Sequence, residues 1–285
     1  LHKRLKKRKN FKLKIMQKSI IYVVLLIVST MVFSSCSLFA PRYEKVEKGE
    51  YSISATGKKK FSLNNVNGKI KVIRTTDQSS IVVKYEKTAY VRKKDLGSPL
   101  SEITLNLDTA GTDVKIETDF ENERNVIHFG NDQSNKIDYE IYVPEGILVN
   151  LDNTNGSIDL LKLSNDVKAS TTNGSIKIDN VSGKMELETT NGTIRGSIDS
   201  TKGITAETVN GEIKLNLSNH VSASVEADVV NGSVRTDGLN FKDMTAEKNK
   251  KYFKGTLRNG DAKIKLETTN GSIRLTGSGD DDTEI

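Results

Sequence analysis

The 285-residue sequence has no tryptophan, one cysteine, three prolines and three histidines, and only 6% of its residues are aromatic. A lone thiol cannot close an internal disulfide, so a stapled secreted scaffold is excluded. His2 lies in the N-terminal segment, and His128 and His220 alone, with no second thiol, are too few ligands for a zinc site. Neither recurs beside a fixed Ser or Cys, so a nucleophile with its base is not expected. The scarcity of rings removes the stacking platforms that many binders of sugars and nucleic acids use.

The formal charge of +6 also overstates the basic character. Lys3, Arg4, Lys6, Lys7, Arg8, Lys9, Lys12, Lys14 and Lys18 open the chain without one acid among them. Without these nine, 34 Lys and Arg face 37 Asp and Glu, about −3 net. No general basic surplus remains from which to infer a nucleic-acid partner.

The basic opening runs into an apolar stretch at 20–33 and then into Ser34, Ser35 and Cys36. Basic residues, a short apolar core and small residues before a cut describe a secretory signal, expected over residues 1–35. At about 14 residues the apolar run is shorter than the roughly 20 that a membrane span needs. Two starts are open, Leu1 and Met16, since Met16, Gln17, Lys18 and Ser19 alone make an ordinary basic lead-in. The placement of Cys36 resembles a bacterial lipobox, in which the thiol receives a diacylglycerol, although Phe33 replaces the usual Leu. Acyl chains contribute about 0.8 kcal/mol per buried methylene, and two or more chains anchor stably. Ser37, rather than Asp, fits outer-membrane sorting if the cell has two membranes. Residues 36–50 are then expected to be the lipidated cysteine and a tether, and 278–285 an acidic tail.

Asn-Gly recurs at Asn67, Asn155, Asn173, Asn191, Asn210, Asn231, Asn259 and Asn270, and from Asn155 to Asn231 the intervals are 18, 18, 19 and 21 residues. Four residues before each Asn come Leu63, Leu151, Ala169, Leu187, Ala206, Ala227 and Leu266; six before come Phe61, Val149, Val167, Met185, Ile204, Val225 and Ile264. Three after come Ile70, Ile158, Ile176, Ile194, Ile213, Val234 and Ile273, and only the Asn259 copy, with Ala262, breaks the rule. Strict alternation means strands with one buried face, and Thr, Val and Ile favour them. Asn-Gly suits the positive φ of a tight turn. Each unit is two strands and two turns, and the chain is expected to be all-β. Two architectures fit: a β-solenoid of 18–21-residue coils, or an antiparallel meander of hairpins. The solenoid is favoured because like residues would stack and side-chain amides could bond along the stack, making Asn155, Asn173, Asn191, Asn210, Asn231 and Asn270 a turn ladder. The regular repeats cover 151–277; residues 51–150 are a less regular β region, with loops expected at 92–98 and 130–136.

The chain resembles a bacterial family of β-strand-repeat proteins of unknown function described as putative adhesins. The resemblance rests on Tyr139, Glu140, Ile141, Tyr142, Val143, Pro144, Glu145 and Gly146 running into Val149, Leu151, Asn153, Thr154, Asn155, Gly156, Ser157 and Ile158, and on the Thr-Thr-Asn-Gly coils at 171–176, 189–194 and 268–273. It covers about residues 50–277. It implies a solenoid-like fold in an envelope protein, often a lipoprotein, and supplies no functional residue.

Two candidate sites follow from the spacing. Asp159, Asp179 and Asp199 are 20 residues apart, as a calcium-dependent polysaccharide lyase of β-helix type would invite, but they fall four, six and eight residues after their Asn and so form no column. A recurring column does exist four residues after the Asn: Lys71, Lys177, Arg195, Lys214, Arg235, Lys263 and Arg274, with Asp159 the exception. It would form an outward basic stripe for an acidic glycan, unless Asp152, Glu188, Glu207, Asp228 and Glu267, three residues before the Asn, neutralise it. The Asn-Gly-Ser/Thr triplets also match glycosylation acceptors, a coincidence of turn chemistry. The expectation is a non-enzymatic, lipid-anchored envelope protein without metal or cofactor, binding a glycan or protein partner; the alternatives are a polysaccharide lyase or hydrolase, and an envelope-stress regulator.

Overall fold

The computed structural model describes residues 42–120, 135–246 and 250–277. Cys36 with the leader, His128, most of the 130–136 loop and the 278–285 tail lie outside the described residues. The first strands are β1 (Arg42–Ser54), β2 (Lys60–Asn67), β3 (Ile70–Arg74), β4 (Ser80–Arg92), β5 (Ile103–Asp108), β6 (Asp113–Phe120) and β7 (Lys136–Val143). The coils follow as β8 (Leu148–Asn155), β9 (Ile158–Leu161), β10 (Val167–Asn173), β11 (Ile176–Asp179), β12 (Lys184–Asn191), β13 (Ile194–Ile198), β14 (Gly203–Asn210) and β15 (Ile213–Leu217). Last come β16 (Ala223–Asp237), β17 (Phe241–Ala246), β18 (Tyr252–Leu257) and β19 (Ala262–Gly277). Arg42, Tyr43 and Val91–Ser98, with a 3-10 turn at Lys93–Asp95, belong to one compact unit; Glu44–Tyr90 and the described residues from Pro99 onward belong to a second, which holds the coils. β1 begins inside the segment expected to be a tether. Among the described residues no helix is long and apolar enough to cross a membrane.

The architecture is an all-β solenoid. In a meander the strands flanking each Asn-Gly would pair with each other; here each pairs with its equivalent in the next coil. β8, β10, β12 and β14 run parallel in register, so that Val149, Val167, Met185 and Ile204 form one buried column and Leu151, Ala169, Leu187 and Ala206 another. β9, β11, β13 and β15 do the same with Ile158, Ile176, Ile194 and Ile213. A fully buried Ile or Leu contributes roughly 1.5–3 kcal/mol, and no coil can bury its own inner face alone.

Stacking order departs from chain order. β2 and β3 lie between β6 and β7 on one side and β8 and β9 on the other, so the coils continue across residue 150. At the other end β19, the last strand, is inserted between the β14–β15 coil and β16. Asn259 is not a coil corner: it lies in the turn joining β18 to β19, which accounts for the misfit of its flanks. Antiparallel strands end the stack, β5 on β6 and β4 on β7 at one end, β18 on β16 and β17 on β18 at the other.

The corners revise the expected turn chemistry. No ladder Asn has a positive φ, and among the glycines that directly follow those Asn only Gly68, Gly156 and Gly232 do, at 124°, 141° and 151°. Glycine is required for another reason, the closeness of backbone to backbone. A Cβ on Gly192 would lie 1.9 Å from the carbonyl oxygen of Gly174, and one on Gly211 1.8 Å from that of Gly192. Beside this contact each Asn side-chain amide donates to the Asn of the neighbouring coil. The bonds run Asn231 to Asn270, Asn270 to Asn210, Asn210 to Asn191, Asn191 to Asn173, Asn173 to Asn155 and Asn155 to Asn67, all at 2.8–2.9 Å. Two residues before the Asn, parity turns a threonine inward, where it needs a partner. The hydroxyls of Thr171, Thr189, Thr208 and Thr268 donate to the carbonyls of Gly156, Gly174, Gly192 and Gly211 at 2.9–3.2 Å.

Gly192→Ala must push two coils apart and is expected to cost more than about 3 kcal/mol. Asn191→Ala, which breaks two exposed ladder bonds, should cost about 1 kcal/mol for each. Urea unfolding of both variants checks the order, and an equal or smaller loss for Gly192→Ala would refute the close-approach account.

Candidate basic-column site

The second strand of every coil carries one outward row four residues beyond its Asn. Followed across the sheet from β4, that row reads Lys84, Glu140, Lys71, Asp159, Lys177, Arg195, Lys214, Arg274 and Arg235. The first four alternate in sign; the last five are all cations. Adjacent strands are about 4.8 Å apart, so the five charges follow one another over about 19 Å. Lys177, Arg195, Lys214 and Arg235 are exposed, and Arg274 is half-buried.

The alternating part satisfies itself. Lys71 bonds Glu140 at 3.0 Å, and the Tyr142 hydroxyl donates to the same carboxylate. These two donors, Tyr142 first, hold the Glu140 carboxyl below its ordinary pKa. Asp159 pairs with Lys69 at 2.6 Å and so is taken up by the coil on its other side, away from Lys177. In the uniform part, among the described residues, only Arg274 has a carboxylate within ion-pair distance, Glu212 at 3.8 Å. Among the described residues no ion pair reaches Lys177, Arg195, Lys214 or Arg235.

The expected neutralising acids do not reach the column. Residues three before and four after the Asn lie on the two different strands of a coil, with the corner between them. Asp152, Ser170, Glu188, Glu207, Glu267 and Asp228 make their own row on the first strand, and from Ser170 onward that row lies along a shallow groove that threonines such as Thr190 and Thr269 also line. Within that row Glu267 pairs with Lys265 at 2.8 Å, and the Lys265 pKa is raised mainly by that bond. Lys263 is not in the column, because β19 pairs it with Ser224.

Two polar rows flank the five cations. On one side are Ser175, Thr193, Glu212, Ser272 and Ser233; on the other are Asp179, Ser197, Asn216, Thr276 and Asp237. Most of these side chains carry a hydroxyl or amide, and the acids Asp179 and Asp237 border the two ends. Counting outward positions two and six residues beyond the Asn would have revealed both rows in the sequence. The adjacency of Arg274 to Lys214 and Arg235 could not be found that way, because it depends on where β19 inserts.

The other candidates separate. Asp159 faces Lys177 across the ladder while Asp179 faces Ser197 one row away. Asp199 is beyond the strands, where His220 Nδ1 approaches its Oδ1 at 3.4 Å. The Ser218 hydroxyl donates to the Asp199 main-chain carbonyl and accepts the His220 main-chain N–H, so the imidazole is not aimed at Ser218 as a general base would be. Bonds from Ser218 and His220 lower the Asp199 pKa. Among the described residues no group of three or more His, Cys, Asp or Glu could hold a metal ion.

Like charges directly opposite each other in a sheet cost roughly 0.2–1 kcal/mol. Arg195→Gln and Lys214→Gln are therefore each expected to stabilise the protein by about 0.5 kcal/mol at low ionic strength, an effect that salt should erase. Urea unfolding in low and high salt measures it; destabilisation by both variants would show that the column is compensated.

No curated protein matches the sequence. Among solved structures, the chain is similar to a putative cell adhesion protein from Clostridium sporogenes, with 13% identity, 82% of this chain and 100% of that one covered, and a TM-score of 0.42. It is also similar to putative adhesins from Bacteroides fragilis (10% identity, 82% and 97% covered, TM-score 0.33) and Parabacteroides merdae (11% identity, 82% and 97% covered, TM-score 0.28). Residues 149–276, from the first column residue of β8 to the penultimate residue of β19, match the family described as Toastrack DUF4097. The repeat region of this chain is therefore similar to the Toastrack DUF4097 family.

Proposed function

We propose that this chain is a non-enzymatic scaffold, lipid-anchored in the bacterial cell envelope, that binds an acidic glycan along its basic column. The observation that carries the proposal is the change of pattern within one row, from Lys84, Glu140, Lys71 and Asp159 to five cations in succession. The alternating part demonstrates that the stack tolerates self-neutralised neighbours at this position. Five adjacent cations, of which only Arg274 has a carboxylate partner among the described residues, therefore answer no need of the fold, and an anionic partner would turn their repulsion into attraction. The hydroxyl and amide rows beside the column suit a sugar polymer, whose own hydroxyls need partners. The anchor is supported by the basic lead-in, the apolar stretch and Cys36 after two small residues. In a cell with two membranes, Ser37 favours the outer one.

Replacing Lys177, Arg195, Lys214 and Arg235 together with Gln should weaken binding to acidic polysaccharide at least tenfold, with the fold retained by circular dichroism. Titration of labelled polymer into both proteins measures this, and undiminished affinity would reject the column as the site. Independently, Cys36→Ser should move the exported protein from the membrane to the soluble fraction. Retention of that variant on membranes would reject the acyl anchor.

A further inference from the structure

Resting on the proposed binding of an acidic glycan, the geometry points to a narrower ligand: we propose that the column binds a polyuronate, a sugar chain with one carboxylate on every residue, laid along the stack axis across the strands. The direction follows from the placement of the charges. Along any one strand the column contributes a single cation, flanked two residues away by polar or acidic groups: Lys214, for example, lies between Glu212 and Asn216. Across the strands it contributes five without interruption. A linear polyanion gains most by following the second path.

The chemical class follows from the pitch. Successive coils advance by about 4.8 Å, close to the advance of one pyranose ring with its glycosidic oxygen in an extended chain. A chain of uronates thus carries one carboxylate per coil of advance, and rotation about its glycosidic bonds turns those carboxylates toward the cations. Polyphosphate carries its charges more densely than the coils repeat. Phosphodiester polymers space them more widely, and a glycan with a uronate at alternate sugars would skip every second cation. Arg195, Arg274 and Arg235 can take a carboxylate with a two-pronged guanidinium, and Lys177 and Lys214 as point charges. The hydroxyl row that includes Ser175, Thr193 and Ser272 lies beside the cations, where ring hydroxyls of the same polymer would fall. Glu212 is the single acid within that row, and its contact with Arg274 is long enough, at 3.8 Å, to yield to an incoming carboxylate.

The test uses the mature chain and oligogalacturonates of increasing length, with polyphosphate, a glycerol-phosphate polymer and hyaluronate as comparators. Affinity for oligogalacturonate should climb with each residue up to about five and then flatten. The Gln variant at Lys177, Arg195, Lys214 and Arg235 should lose at least tenfold and show no length dependence. A plateau at two residues would overturn the axial path. Equal or tighter binding of a comparator, still sensitive to the Gln variant, would overturn the polyuronate assignment while leaving the column a polyanion site. Binding of none of these polymers would overturn the proposed function as well.

Discussion

Everything in the coil stack depends on one close approach, that of the glycine corner of each coil to the carbonyl of the coil beneath it. With a hydrogen in place of a side chain, Gly192 rests on Gly174 and Gly211 on Gly192. That contact forbids a register slip, because a slip by one residue would set the Asn or Ser side chain where only hydrogen fits. The inward threonines then bond the glycine carbonyls, and the outward asparagines their equivalents, one coil away, satisfying polar groups that close stacking would otherwise strand. Net contributions of about 1 kcal/mol per hydrogen bond are modest singly. Repeated on both sides of the corner, they make the register far more specific than the aliphatic columns could alone.

In-register stacking has a consequence for charge. It sets like beside like, which suits Ile on Ile and Asn on Asn but works against Lys on Arg. The chain meets this in two ways on the same row. Near β3 and β7 it alternates sign, and the Lys71, Glu140 and Tyr142 cluster closes on itself. From β11 to β16 it does not alternate, and the repulsion stands in the free protein. The proposed binding of a polyanion would offset that cost.

Both ends of the stack also need management, since an in-register parallel stack is a template for further strands. Here the pairing changes from parallel to antiparallel at each end. At the far end β17 shifts register between Lys242 and Thr245, and Asp243 has a φ of 50°, which makes a poor edge for another chain to extend. The return of β19 into the interior of the stack adds closure: the last coil is gripped on both sides, by β14 and β15 and by β16. This pairs Asn210 with Asn270, residues 60 apart, a long loop to close before any contact rewards it.

Much of this was legible in the sequence because a repeat states its own rule. The spacing of Asn155, Asn173, Asn191 and Asn210, with inward Ile three residues later, implied the coil, its buried columns and an outward basic row before any coordinates. Turn chemistry accounts for glycine only at Gly68, Gly156 and Gly232, and close approach, which selects the same residue, accounts for it at every corner. Inward threonine could have been anticipated from parity, because Thr171 shares the parity of Ala169. Beyond that the sequence was silent for a physical reason. Near-identical coils can stack in any order at almost equal energy, so local pattern cannot say that Arg274 enters between Lys214 and Arg235, or that Asn259 is only a connecting turn. The sequence by itself determined what each coil looks like, through alternation and the small corner residue; the tertiary structure alone decided which coils are neighbours, because that choice rests on chain connections and end capping.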